Sequence, residues 1–201
     1  MLVRHAAPTM PEGPRRFLGQ TDLPLSPRGV EQALALAKRF APLSVSGVHS
    51  SDLERARQTA SILARGRDLH VQEHKWLREI DAGAWEMLTF EEARERYPRE
   101  HAAREHDLAG SPFPGGESLR DVEARVVPGF QRLAADAAAQ GTGDVIVVGH
   151  RALNVVLLSH LLGSPLEDAF SIPQDYCAVS AIRTGLAEDG GRWFRVDPGL
   201  F

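Results

Sequence analysis

The stretch Asp144-Val145-Ile146-Val147-Val148-Gly149 limits the fold more than any other part of the chain. It is an unbroken apolar run, rich in β-branched residues and bounded by Gly143 and Gly149. A strand with one solvated face alternates apolar and polar residues, so a continuous run reads as a strand buried on both faces, the pattern of a parallel sheet covered by helices. An apolar helical segment, 153–162, follows directly. Leu2-Val3 begins a second strand and 46–49 a weaker third. Residues 178–182 and 193–196 read as a late hairpin around Gly190-Gly191.

Helical patterns lie between these runs. Ser26-Pro27 sets a capping residue before a proline at the first helical position, and Val30, Ala33, Leu34, Ala37 and Phe40 follow at helical spacing. Ser51-Asp52-Leu53-Glu54 and Thr89-Phe90-Glu91-Glu92 have the form of capping boxes. Leu53, Ala56, Ala60, Leu63 and Ala64 form the apolar stripe of the first, and 119–139 reads as one long helix. Alternating strands and helices predict an α/β fold, a three-layer sandwich with a mostly parallel central sheet and helices on both faces. A chain of 201 residues is expected to form a single domain. The segment 91–118 is charged, carries Pro98, Pro112 and Pro114, and ends in Gly115-Gly116. It reads as a cap-like helical and loop excursion over the active end of the sheet, spanning about 89–118, and not as a second domain.

Composition removes several function classes. With 43% hydrophobic and 25% charged residues the chain is globular, not disordered or collagen-like. No run of about 18 apolar residues predicts a membrane span, and Met1-Leu2-Val3-Arg4-His5 has no signal-peptide core. A net charge of −4 argues against a general nucleic-acid binder. Cys177 is the single cysteine, which excludes a disulfide framework and a cysteine-rich zinc site and fits a cytoplasmic enzyme. Only Lys38 and Lys75 among the 23 basic residues are lysine. Arginine suits bidentate recognition of phosphate and carboxylate, although a biased base composition explains most of this excess. No Walker A, HExxH or GxSxG motif is present. His101 and His106, in a charged helix, read as solvated and not as metal ligands.

The chemistry sits at strand ends. Arg4-His5 ends the first strand, and Gly149-His150-Arg151 ends the best one and opens a helix. Ligands of open α/β sheets bind outside the carboxyl ends of the strands, so two central parallel strands would bring His5 and His150 together, with His150 at an anion-favouring helix N-terminus. In Ser50-Ser51-Asp52-Leu53-Glu54-Arg55-Ala56-Arg57, two arginines oppose the dipole of a helix start. Arg57 is expected to pair with Asp52 or Glu54, while Arg55 is read as functional. In Leu77-Arg78-Glu79-Ile80-Asp81-Ala82-Gly83-Ala84-Trp85-Glu86, carboxylates lie among apolar neighbours. That setting suits a general acid, with Glu79, Asp81 and Glu86 as candidates.

Taken in order, Leu2-Val3-Arg4-His5, 19–26, 50–60, Leu77-Arg78-Glu79, Pro114-Gly115-Gly116-Glu117-Ser118 and Val147-Val148-Gly149-His150 resemble the histidine phosphatase superfamily, phosphoglycerate-mutase-like. The resemblance implies a phosphohistidine mechanism. His5 matches the nucleophile and Glu79 the proton donor. Arg4, Arg55 and His150 match the groups that hold the phosphoryl oxygens. Gly19, Gln20 and Arg151 are carried over as further substrate contacts. No metal and no cofactor are expected, and a backbone carbonyl is expected to fix the His5 tautomer. The chain departs from the usual pattern at Ala6, Pro8, Pro11 and Arg151, on the pocket rim and outside the core set; Arg151 is read equally as a phosphate contact, a solvated group or a partner of a carboxylate. Gly83-Ala84-Trp85-Glu86-Met87 and 175–182 are similar to the alpha-ribazole phosphatase branch, of cobalamin assembly. The implied partner is a small phosphorylated metabolite, with no nucleic acid and no membrane; the oligomeric state stays open, a homodimer included. The competing readings are a mutase or phosphotransferase, and a non-catalytic phosphate-binding module.

Overall fold

The computed structural model describes residues 1–140, 143–186 and 192–197. Six strands occur among them: β1 (Leu2–Arg4), β2 (Val45–Ser50), β3 (Val71–Glu73), β4 (Asp144–Gly149), β5 (Val179–Leu186) and β6 (Arg192–Asp197). They form one sheet in the order β3-β2-β4-β1-β5-β6. The first four are mutually parallel, β5 runs antiparallel to β1, and β6 antiparallel to β5. The helices are α1 (Pro27–Phe40), α2 (Glu54–Ala64), α3 (Phe90–Arg96), α4 (Pro98–His106), α5 (Leu119–Gln140) and α6 (Arg151–Leu162). None is long and apolar enough to cross a membrane.

The unbroken apolar run of β4 now has its cause. Successive side chains of a strand point to opposite faces, and both faces here are covered. Ile146 and Val148 pack with Val3 and Val48 against Leu36 and Phe40 of α1 and Ala56, Ala60 and Leu63 of α2. Val147 and Leu2 pack on the other side against Val122 and Val126 of α5 and Leu153, Val156 and Leu157 of α6. The result is the predicted three-layer α/β architecture.

Three expectations shift. In α1 the buried face is Gly29, Ala33, Leu36 and Phe40, whereas Val30 and Leu34 are 39% and 38% exposed. The rotation is set by Gly29, where any Cβ would run into the Ala7 carbonyl; that contact draws the glycine face inward and turns its neighbours out. The capping box at Ser51–Glu54 does not form. The N-cap of α2 is Leu53, which makes no side-chain cap, and the Glu54 N–H donates to Asp22 Oδ1 at 2.6 Å, so a distant loop replaces the local signal. Strand β3, three residues at the sheet edge, carries no periodic pattern and was not foreseen. Strands β5 and β6 pair antiparallel as the expected hairpin and add to the sheet beside β1, while Gly190-Gly191 lie outside the described residues.

The excursion is built from α3 and α4. Thr89 caps α3 with both bonds of a capping box, Glu92 N–H to Thr89 Oγ1 at 3.1 Å and Thr89 N–H to a Glu92 carboxylate oxygen at 2.8 Å. Pro98 then opens α4. Underneath, Phe17 sits 4.4 Å from Phe90, 5.1 Å from Trp85 and 5.8 Å from Phe113 between ring centroids. This aromatic cluster holds the excursion over the carboxyl end of the sheet.

Candidate active site

The register of β1 against β4 pairs Arg4 with Gly149. One residue further on, His5 and His150 therefore stand level. The His5 N–H donates to the Gly149 carbonyl at 3.0 Å, and the two rings lie 4.9 Å apart between centroids. His5 is 3% exposed and His150 fully buried. Nδ1 of His5 lies 2.7 Å from the carbonyl of Ala6. A neutral imidazole carries one N–H, and a carbonyl can only accept, so the proton resides on Nδ1 and Nε2 keeps its lone pair. Burial, reinforced by the charges of Arg55 and Arg4, holds His5 well below its ordinary 6.5. Burial and Arg55 do the same to His150.

Arg55 is fully buried in the first turn of α2. Its guanidinium donates to the carbonyls of Gly19 and of Thr21, the latter at 2.9 Å. Burial lowers its affinity for the proton, and Glu79, Asp22 and Glu86 act in the opposite direction. Arg4 donates to the Gln174 carbonyl and lies 4.1 Å over the Tyr176 ring. Nε of Arg4, Nε of Arg55 and both ring nitrogens of His150 are buried with no hydrogen-bond partner in the protein. Buried polar atoms are nearly always paired, and a guanidinium can only donate. A neutral His150 carries one N–H, so three buried unpaired donors stand near the nucleophilic imidazole of His5, a setting suited to a small oxyanion.

Glu79 is 6% exposed and lines a cavity of about 740 Å³ together with His5, Arg4 and Arg151. Its carboxylate accepts from the N–H groups of Ala152 at 3.1 Å, Leu153 at 3.3 Å and its own neighbour Ile80 at 3.0 Å. The group that meets the first N–H groups of α6 is thus the chain's own Glu79 side chain. The helix orients Glu79, a relation the spacing of the sequence did not disclose.

The other two carboxylate candidates serve elsewhere. Asp81 Oδ1 accepts from Gly83 N–H at 2.8 Å and closes a turn. Glu86 accepts from the N–H groups of Gly19, Gln20 and Thr21 and from the Thr21 hydroxyl at 2.8 Å. It thereby clamps the loop whose carbonyls receive Arg55. Gly19 and Gln20 lie in this clamp and not in the cavity wall. A Cβ at Gly19 would strike Glu86 and the Ile80 carbonyl, and the Gln20 amide bridges the Glu79 carbonyl at 3.2 Å and Arg78 at 3.2 Å. Arg57 pairs with Glu54, as expected. Arg151 lies 4.8 Å over the Phe170 ring on the cavity wall, with no carboxylate paired to it among the described residues. Ala6 is accommodated with its N–H on Thr59 Oγ1 at 3.1 Å. Pro8 bridges to Leu25, whereas Pro11 lines the cavity. His101 is half-buried: its ring stacks on Trp85 at 5.8 Å and lines the cavity. His106 is exposed.

Tyr176 was missed. Its ring covers Arg4 and lies 5.7 Å from His5. The following residue, Cys177, has φ 61°, and its N–H donates to the Arg4 carbonyl at 3.2 Å. This tight turn before β5 delivers the ring, and a lone non-glycine residue at positive φ leaves no mark in a sequence.

A profile of the Histidine phosphatase superfamily (branch 1) matches residues 1–194. Phosphoserine phosphatase 1 of Hydrogenobacter thermophilus is 33% identical over 183 residues, 90% of this chain and 84% of that protein. The 6-phosphofructo-2-kinase/fructose-2,6-bisphosphatase of Caenorhabditis elegans is 36% identical over 149 residues, 73% of this chain, and the chain spans 31% of that protein's length. The crystal structure of the alpha-ribazole phosphatase from Shigella flexneri superposes with a TM-score of 0.80 at 26% identity, covering 97% of this chain and 93% of that one. With that profile match running from the first strand to the last, over the same sheet edge that gathers His5, His150, Arg4 and Arg55, the chain belongs to branch 1 of the histidine phosphatase superfamily.

Proposed function

We propose that the protein is a metal-independent phosphomonoester hydrolase that works through a phosphohistidine on His5. Nε2 of His5 attacks phosphorus and forms a P–N bond while the P–O bond to the leaving group breaks. Glu79 gives its proton to the departing oxygen. A water then enters, Glu79 takes a proton from it, and its oxygen displaces His5 to release inorganic phosphate. Arg4 and Arg55, with an N–H of neutral His150, hold the phosphoryl oxygens, where fixed donors stabilise the charge of the transition state. The observation that carries this reading is the Nδ1 contact of His5 with the Ala6 carbonyl: it leaves Nε2 free, among buried donors that lack a partner.

The proton donor speaks against a non-catalytic phosphate-binding module. A binding module has no use for a carboxylate held on three N–H groups beside the nucleophile. The similarity to an alpha-ribazole phosphatase makes alpha-ribazole 5′-phosphate the first metabolite to assay. The wider test uses an activated aryl phosphate in EDTA. The wild-type chain should turn it over, and His5→Ala should lose about 10³-fold or more in kcat. Full activity in the variant, or loss in EDTA that metal restores, would overturn the mechanism.

A further inference from the structure

The phosphoryl pocket occupies only one end of the cavity. At about 740 Å³ the cavity falls among sites that hold whole small molecules, about 300–1,000 Å³, so most of it must meet the leaving group. Its far wall comes from the excursion and is rich in donors. Arg104 of α4 is 8% exposed. Its guanidinium lies 3.8 Å over the Phe113 ring and donates to the Ser111 carbonyl, yet no carboxylate pairs with it among the described residues. Burial alone lowers it to about 10, so it stays charged at neutral pH. Trp85, 2% exposed, lines the same cavity and packs edge-on to the same Phe113 at 5.2 Å. Its indole N–H is buried without a partner. The acid on this wall, Glu105, is exposed and turned to His101 at 3.6 Å.

A buried charge without a counter-charge is costly, and so is a buried donor without an acceptor. Both costs are met by one kind of ligand group. We propose that Arg104 and Trp85 form a second anion subsite for the far end of the substrate, which is therefore a phosphomonoester carrying a further oxyanion, a carboxylate or a second phosphate. This rests on the hydrolase reading above and narrows it. Aromatic rings of Phe17, Phe90 and Phe113 line the space between and suit a leaving group with an apolar body. Alpha-ribazole 5′-phosphate has no second anion and should rank below the doubly anionic esters in kcat/KM.

The test compares phenyl phosphate with para-carboxyphenyl phosphate and para-phenylene bisphosphate, with alpha-ribazole 5′-phosphate alongside. Wild-type kcat/KM should favour at least one of the two doubly anionic esters by about tenfold or more, the range of a charged hydrogen bond, and mainly through KM. The preferred ester tells carboxylate from phosphate. Arg104→Gln should collapse that ratio towards one, and Arg104→Lys should keep part of it. Trp85→Phe preserves the ring while deleting the N–H, and should lower the ratio by a few-fold even if the arginine variants fail to fold. Equal kcat/KM for all the esters in the wild type, or a ratio untouched in folded Arg104→Gln and Trp85→Phe, would overturn the subsite. Calorimetric binding of the same esters to His5→Ala reads the ratio without turnover, so an inert enzyme would count against the hydrolase reading while the subsite is still decided.

Discussion

The floor and the roof of the cavity use the same residue types in different ways. On the floor, Arg4 and Arg55 are braced by backbone carbonyls of Gln174, Gly19 and Thr21, and the loop carrying two of those carbonyls is itself clamped by Glu86. On the roof, Arg104 keeps one carbonyl, that of Ser111, and otherwise rests on the face of Phe113, while Arg16 holds the Met87 carbonyl at 2.8 Å and Glu92. Two carbonyls on a clamped loop fix the Arg55 guanidinium in one geometry, as phosphoryl transfer needs. A guanidinium with one carbonyl anchor and a ring beneath it keeps donors for variable leaving groups. The contrast separates chemistry from selection: floor changes should strike every phosphomonoester alike, and roof changes should depend on what lies beyond the bridging oxygen.

Glu79 stands between the two, and its substitution is the sharpest probe of the division. Glu79→Gln keeps the size and removes the proton. Turnover of alkyl phosphates, whose leaving oxygen needs that proton, should fall about 10²–10⁴-fold. Turnover of an activated aryl phosphate should fall by no more than about tenfold, since its leaving group departs as the anion. Equal losses on both would move Glu79 from acid catalysis to mere support. Arg55→Gln comes next. Removing one preorganised donor should cost about 10²–10³-fold in kcat for all esters, read against a thermal melt because Arg55 also ties down the 19–21 loop. A loss that varied with the leaving group would break the floor-and-roof division.

The smallest effect is on stability. His5 and His150 are both held well below 6.5 by burial and by Arg55, while the unfolded chain titrates near 6.5. Below that pH the unfolded chain binds protons that the folded chain refuses. Stability is therefore complete above pH 6.5 and declines on acidification, by about 1.4 kcal/mol per pH unit for each histidine, until the folded values are reached. Denaturant midpoints at about pH 7 and about pH 5.5 measure the slope, and His150→Gln should reduce it by one histidine's share. An unchanged slope in that variant would mean His150 is not held neutral.

Much of the floor was legible because its chemistry is tied to chain direction. Once β4 reads as buried on both faces and β1 as its parallel neighbour, His5 and His150 must meet, whatever the rest of the fold does. What escaped depends on contacts between distant segments. The face of α1 is decided by Gly29 meeting Ala7, the start of α2 by Asp22, and the setting of Glu79 by the first N–H groups of α6. Asp81 and Glu86 looked equivalent to Glu79 from their apolar neighbours; only the partners of their oxygens separate them. The roof was legible as an excursion over the active end of the sheet, but the places of Arg104 and His101 in it were not, since the neighbours that bury them, Phe113 and Trp85, lie outside their own helix.

Trapping the covalent intermediate tests the central claim most directly. The wild-type chain is mixed with an activated aryl phosphate, quenched within the first turnover, and its peptides are mapped under alkaline conditions. The mechanism predicts one acid-labile phosphoryl group per chain, on the peptide that carries His5, and none in His5→Ala. Rapid turnover with no phosphorylated histidine, or the label on another residue, would contradict it.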